Sequence, residues 1–250
     1  MLTKAKIAFL QSLAIKKHRK AAGLFLAEGP KIVGELLASS FEVVELFRSG
    51  DWQGPADIAM LDVSPADLAR ISALTTPNQV AALVKIPDIS FDAASLRGKL
   101  VLGLENIQDP GNLGAIMRLA DWFGIDTLLA SATSADCFNP KVVQATMGSI
   151  ARVQIHYCDD LPATIRQLQG LGKRAYAAAL DGEDLYRSEL VSDAVILFGN
   201  ESQGLSPAAA QACAHALRIP TFNASARKAE SLNVAMAASI VCSEFRRQGR

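Results

Sequence analysis

The sequence predicts two α/β units, a small one ending near residue 90 and a larger one, from residue 98 onward, built on a mostly parallel sheet. Three observations predict this. Short apolar runs alternate with helical patterns along the chain, and in the second half those runs are nearly continuous, as in strands buried on both faces. Between them, residues 86–99 (IPDISFDAASLRGK) break the apolar periodicity with Pro87, Asp88, Ser90 and Gly98, which marks a linker. The chain has 250 residues, 50% of them hydrophobic and 20% charged, enough to bury a core in each unit.

Taken in order, the first unit begins with a basic helix over about 3–20 and a short strand at Leu24 to Ala27. A helix from Pro30 to Ala38, a strand near Val43 to Phe47, a helix opened by Ser64 and Pro65, and a strand from Val80 to Ile86 complete it. Beyond the linker, strands are expected at Leu100 to Leu104, Thr127 to Ala130, Val153 to Tyr157, Ala175 to Leu180, Ala194 to Phe198 and Leu217 to Ile219. Helical patterns cover 112–123, 140–148, 160–171, 206–214 and about 231–246.

Charge and cysteine usage exclude several function classes. Twenty-five basic residues balance twenty-five acidic ones, but Lys4, Lys6, Lys16, Lys17, Arg19 and Lys20 crowd the first twenty positions with no acid among them. Cys137, Cys158, Cys213 and Cys242 are scattered away from His18, His156 and His215, which argues against a metal site and a disulfide framework and for a reducing cytoplasm. No run is long and apolar enough to cross a bilayer, and basic residues follow Ile7 to Ile15 where a secretory signal would carry a cleavage site.

Three segments lie where a strand hands over to a helix: DPGNLGAIMR (Asp109 to Arg118), LFGNESQGLS (Leu197 to Ser206) and ESLNVAMAAS (Glu230 to Ser239). Open α/β sheets bind ligands at the carboxyl ends of their strands, so these junctions point to one composite site. In the first, Asp109, Pro110 and Gly111 read as a turn and Asn112 as the helix cap; Leu113, Ile116, Met117 and Ala120 form an apolar stripe with Arg118 on the opposite face. The second has a G-x-x-x-x-G-x-S spacing, but Leu205 stands where a phosphate-binding loop needs lysine. In the third, the helix starts at Ser231 and buries Ala235, Ala238 and Ser239, while the Asn233 amide demands hydrogen-bond partners.

Together the three segments resemble, in order and spacing, the motifs of the SpoU (TrmH-type) RNA ribose 2'-O-methyltransferases of the SPOUT class. The carriers are Asn112, Gly114 and Arg118; Phe198 to Glu201 with Gly204 to Ser206; and Ile219 and Pro220 with Ser231, Leu232 and Asn233. The stretch KKHRKAAGLFLAEGPKIVGELL is similar to the small L30e-type RNA-binding domain that many of these enzymes carry.

That resemblance implies a trefoil knot in a SPOUT domain over 98–250, an RNA substrate-binding domain over 1–90, and a homodimer. It implies S-adenosylmethionine as cofactor, held by the backbone at Gly199, Ile219 and Leu232. Arg118 becomes the catalytic residue, with Asn112, Glu201, Ser231 and Asn233 positioning it, the ribose or the cofactor. Lys16, Lys17, Arg19 and Lys20, with Lys31, become phosphate contacts on ribosomal or transfer RNA, the role that clustered cations without acids can fill. Two departures stand out: ten residues, TFNASARKAE, separate Pro220 from Ser231 without the usual glycine, and Ser202 replaces a common glycine. Arg227 and Lys228 in that longer stretch are further candidates for RNA contact. A non-catalytic RNA-binding assembly factor and a base-methylating SPOUT enzyme are the competing readings.

Overall fold

The computed structural model describes residues 2–55, 57–74, 76–223, 225 and 229–249. Its contacts divide the chain into two compact units, Met1–Asp88 with Asp136–Arg152, and Ile89–Ala135 with Val153–Arg250.

The first unit opens with α1 (Lys4–Ser12) and α2 (Lys16–Ala22), followed by β1 (Leu24–Glu28), α3 (Pro30–Leu37), β2 (Val43–Arg48), β3 (Met60–Asp62), α4 (Pro65–Ile71) and β4 (Val80–Lys85). The sheet runs β1-β4-β2-β3, antiparallel at its first two pairings and parallel at the last. One expected basic helix is therefore two. After α1 the backbone tightens through Leu13, and Ile15 is extended (φ −98, ψ 127) before α2 begins. The last carbonyls of a helix need outside donors, and Arg19 Nη1 supplies one to Leu13 O at 2.7 Å. The short strand β3 was not expected; three residues on a sheet edge carry too little alternation to register in sequence.

The 136–152 segment belongs structurally to this unit, although it lies within the second half of the chain. It contains α6, and α6 packs against β1, with the Phe138 ring 4.8 Å from that of Phe25. Here α6 is Pro140–Thr146, which follows α5 (Pro110–Trp122) in the chain.

The second unit contains β5 (Leu100–Leu104), α5, β6 (Thr127–Ser131), β7 (Gln154–Cys158), α7 (Leu161–Gly170), β8 (Arg174–Asp184), β9 (Ala194–Phe198), α8 (Pro207–Gln211), β10 (His215–Arg218) and α9 (Val234–Gln248). Its sheet order is β10-β8-β9-β5-β6-β7, with every pairing parallel. The central strands β5 and β9 are buried at every residue, as their uninterrupted apolar runs require. From β5 the chain passes to β6 on one side, whereas β9 is entered from β8 on the other. The β5/β9 pair is thus the topological switch point, where such sheets open a crevice. Beyond expectation, β8 continues to Asp184, and its pairing with β10 jumps from Ala216↔Ala177 to Leu217↔Glu183. Gly182 fits in that irregularity because a Cβ there would lie 2.5 Å from the Ala216 carbonyl carbon.

The helix α9 packs against α5. At its far end Arg246 donates to the carbonyls of Phe123 (2.7 Å) and Gly124 (2.8 Å), just after the last turn of α5.

Candidate active site

The crevice begins where β5 and β9 end side by side. Glu105 N donates to Phe198 O at 2.9 Å, extending the parallel ladder one step past the strands. Both chains then turn sharply. Asn106 adopts a left-handed conformation (φ 56), which asparagine tolerates better than other side chains of its size. Its carbonyl accepts from Asn200 Nδ2 at 3.0 Å, so the turn that leads from β5 into the first segment is tied to the second segment at the switch point.

The second segment closes on itself. Asn200 and Gly204 exchange backbone hydrogen bonds of 3.1 and 2.8 Å, and Asn200 Oδ1 accepts from the amides of Ser202 and Gln203. A Cβ on Gly199 would stand 2.2 Å from the Gly204 carbonyl carbon. Glycine at 199 is therefore demanded by closure of the loop. Ser202 lies outside the left-handed region, whose non-glycine members among the described residues are Asn106 and Met147, so serine there carries no conformational strain.

Glu105 and Ser206 add a second tie that sequence reading missed. Ser206 N and Oγ each donate to one oxygen of the Glu105 carboxylate at 2.7 Å, while Ser206 Oγ accepts from Ala209 N to cap α8. The partners are 101 residues apart, and neither side chain signals the other in sequence.

The helix α5 starts earlier than expected. Asp109, not Asn112, is its cap: Asp109 Oδ1 accepts from Asn112 N at 2.8 Å, with Pro110 in the first turn. Freed from capping, the Asn112 amide works as a bridge. Its Nδ2 donates to Glu201 Oε1 at 2.5 Å, and its Oδ1 accepts from Asn233 Nδ2 at 2.8 Å. Asn233 caps α9, accepting from the amides of Ala235 and Met236, so that helix starts at Val234 and not at Ser231. Each amide side chain is thus fixed in one orientation by having both ends used, and the three segments converge on Asn112.

Other expected site residues sit apart from this network. Arg118 is exposed on α5, with no hydrogen bond or ion pair among the described residues. Ser231 is exposed and likewise unbonded, whereas Ile219 is half-buried just past β10 and Leu232 is 46% exposed. Arg227 and Lys228 lie outside the described residues.

Of the basic residues, Lys16, Lys17, Lys20 and Lys31 are exposed. Arg19 departs from expectation. It is 2% exposed, and besides bonding Leu13 O it donates through Nη2 (2.5 Å) and Nε (3.2 Å) to Asp136 Oδ2. A guanidinium so committed has no face left for a phosphate, which corrects its assignment as an RNA contact.

None of the four cysteines forms a disulfide among the described residues, and burial pushes the thiols of Cys213 and Cys242 up to about 12, so neither supplies a thiolate near neutrality. No group of three or more metal-ligating side chains is present among the described residues.

What remains is an exposed guanidinium, an oriented amide–carboxylate pair and loops of main chain at a switch point. The SpoU rRNA Methylase family matches residues 99–243, the stretch that carries all of these. The chain belongs to that family. Residues 4–82 match the MRM3-like substrate binding domain. Among curated relatives, the 23S rRNA (guanosine(2553)-2'-O)-methyltransferase RlmP of Bacillus subtilis is 30% identical over 246 residues, covering 96% of each chain. A TrmH-family structure from Porphyromonas gingivalis superposes over 100% of both chains, with a TM-score of 0.90 and 38% identity. An AdoMet-bound rRNA methyltransferase from Sinorhizobium meliloti has a TM-score of 0.85 at 26% identity, over 99% of this chain and 96% of the other.

The Asn112 bridge makes a direct prediction. Asn112→Asp replaces the donor to Glu201 with a second carboxylate, and the loss of a hydrogen bond to a charged group costs about 1.5–3 kcal/mol. In a family member whose activity depends on this arrangement, kcat/KM falls by roughly 10- to 150-fold at neutral pH. Two facing carboxylates raise the pKa of one of them, so protonation restores the lost donor and the deficit narrows as pH falls. A pH-independent deficit would show that the bridge does not orient the site.

Proposed function

We propose that this chain transfers a methyl group from S-adenosylmethionine to a ribose 2'-hydroxyl of structured RNA. The carrying observation is the convergence of all three segments on Asn112, through Glu201 and Asn233, at the β5/β9 switch point. The names of the Bacillus and Sinorhizobium relatives favour ribosomal over transfer RNA as the substrate.

The residues present suit the cofactor: the closed loop after Gly199 presents main chain, and the partly or fully exposed Ile219 and Leu232 add further backbone with apolar side chains, the mixture an adenosine requires. When bound there, the cofactor supplies an electrophilic methyl group on a sulfonium. The chain's task is to make a neutral alcohol nucleophilic. Arg118 does this as a fixed positive charge: its planar, delocalised guanidinium holds a phosphate and stabilises the developing alkoxide. Glu201 orients Asn112, Asn233 fixes the start of α9, and Ser231 lies one residue from the Leu232 backbone to position ribose or cofactor.

Residues 1–90 act as the RNA-binding domain, with Lys16, Lys17, Lys20 and Lys31 exposed for phosphates, and 98–250 as the methyltransferase domain. The trefoil knot belongs to this reading; the chain leaves β10 at the sheet edge and resumes as α9 against α5, with β8 and β9 lying between β10 and β5. So does a homodimer. Trp122 is 86% exposed on the same face of α5 as Arg118, four residues away, and Met236 is 63% exposed on the neighbouring α9. A second copy covering that face stands beside Arg118. A reducing cytoplasm fits the absence of disulfides among the described residues, and no helix among them is long and apolar enough to cross a membrane.

The test is nucleoside mass spectrometry on ribosomal and transfer RNA from cells with and without the protein, paired with calorimetry on the purified chain. A ribose-methylated nucleoside that disappears with the protein supports the reading, whereas a base-methylated one replaces it with base methylation. If neither S-adenosylmethionine nor its demethylated product binds, the reading fails; cofactor binding without methylation of any cellular RNA leaves an assembly factor.

A further inference from the structure

Two aromatic rings in the described chain stand far out in solvent: Phe222 at 89% exposure and Trp122 at 86%, against 47% for the next, Tyr186. An apolar ring left in water forgoes about 1.5–3 kcal/mol of burial, so such exposure calls for an occupant. For Trp122 the occupant is the second copy proposed above. Nothing of that kind serves Phe222, which takes part in no ring contact or hydrogen bond among the described residues.

Its position limits what can cover it. Phe222 follows the Ile219–Pro220 pair by two residues, and three steps of extended chain place it within about 10 Å of Ile219. Ile219 is anchored, because it directly follows Arg218, the last residue of β10. The Arg218 carbonyl accepts from Leu185 N at 2.9 Å, and its Nε donates to Gly182 O at 3.2 Å. The ring therefore projects from a fixed stem at the carboxyl end of the sheet, the end on which the Asn112 network lies. Specific RNA recognition targets loops, bulges and single strands, whose unstacked bases gain a new face by lying on an aromatic side chain.

We propose that Phe222 is that face: a positioning residue whose ring stacks on a nucleobase of the RNA, at or beside the nucleotide whose ribose reacts. The inference rests on the methyl-transfer reading and adds a substrate contact to it. Stacking is indifferent to charge, which suits a ring carried four residues beyond Arg218, whose register partner in β8 is the acid Asp184. It requires aromaticity, not merely apolar bulk.

The test uses full-length protein and, as probe, ribosomal RNA purified from cells lacking the protein. Phe222→Ala and Phe222→Ile should each raise the KM for this RNA by roughly 5- to 150-fold, the range expected for one base–aromatic stack. Phe222→Tyr and Phe222→Trp should restore it, with the dissociation constant for S-adenosylmethionine and the mass in light scattering unchanged in all four. Because the side chain is exposed, these variants keep the wild-type melting temperature. The proposal is overturned if Phe222→Ala leaves the RNA KM unchanged, if isoleucine rescues as well as tryptophan, or if the loss appears in cofactor affinity or dimer mass instead. Failure of the wild-type protein itself to bind cofactor and methylate the probe is a separate outcome, and it overturns the methyl-transfer reading along with this one.

Discussion

Arg118→Ala is expected to slow methyl transfer by roughly 100- to 1000-fold while leaving S-adenosylmethionine binding unchanged, the cost typical of removing one charge-stabilising donor from a transition state. The split between the two readouts follows from the geometry. Arg118 is exposed and bonded to nothing in the described chain, so its removal disturbs neither the Asn112 bridge nor the Gly199 loop. The melting temperature should therefore hold as well. Single-turnover rates with saturating cofactor, beside calorimetric titration of the same variant, check both halves. Arg118→Lys should recover part of the rate, since it keeps the charge but loses the planar fork that grips a phosphate with two donors. Full activity in Arg118→Ala would move the chemistry to another group while leaving the cofactor site as proposed.

The parts of this site legible in sequence were those with a local signature. The strands β5 and β9 fell at their expected residues because an unbroken apolar run bounded by polar turns has no other good solution in a parallel sheet. Asn112, Glu201 and Asn233 were marked by the segments they sit in, and the structure joins them. The misreading of Asn112 as a cap came from a local ambiguity: Asp109 and Asn112 are both good caps, and Pro110, which suits the first turn of a helix, decides for Asp109. The Glu105 to Ser206 tie, the docking of 136–152 on β1 and the commitment of Arg19 depend on pairings across roughly a hundred residues. A single sequence carries no such pairing, because each side chain alone looks like an ordinary solvated group.

Arg19 gives the sharpest test of that distinction, because it sits among lysines that it resembles only in charge. Arg19→Ala is expected to destabilise the protein by about 3–5 kcal/mol, the cost of leaving one partner of a buried ion pair uncompensated. Here the stranded groups are the Asp136 carboxylate and the Leu13 carbonyl at the end of α1. Lys17→Ala and Lys20→Ala, at exposed positions of the same helix, should change stability by no more than about 0.5 kcal/mol. Their effect belongs in RNA binding, where each lost phosphate contact lowers the slope of log affinity against log salt by about 1. Urea denaturation followed at several probes, beside salt-dependent RNA binding, separates the two classes. Replacing Arg19 and Asp136 together with apolar residues of matching volume should return much of the stability, because the penalty comes from the unpaired charge and not from a large net gain by the pair. Equal and small stability losses at all three positions would place Arg19 back among the surface cations.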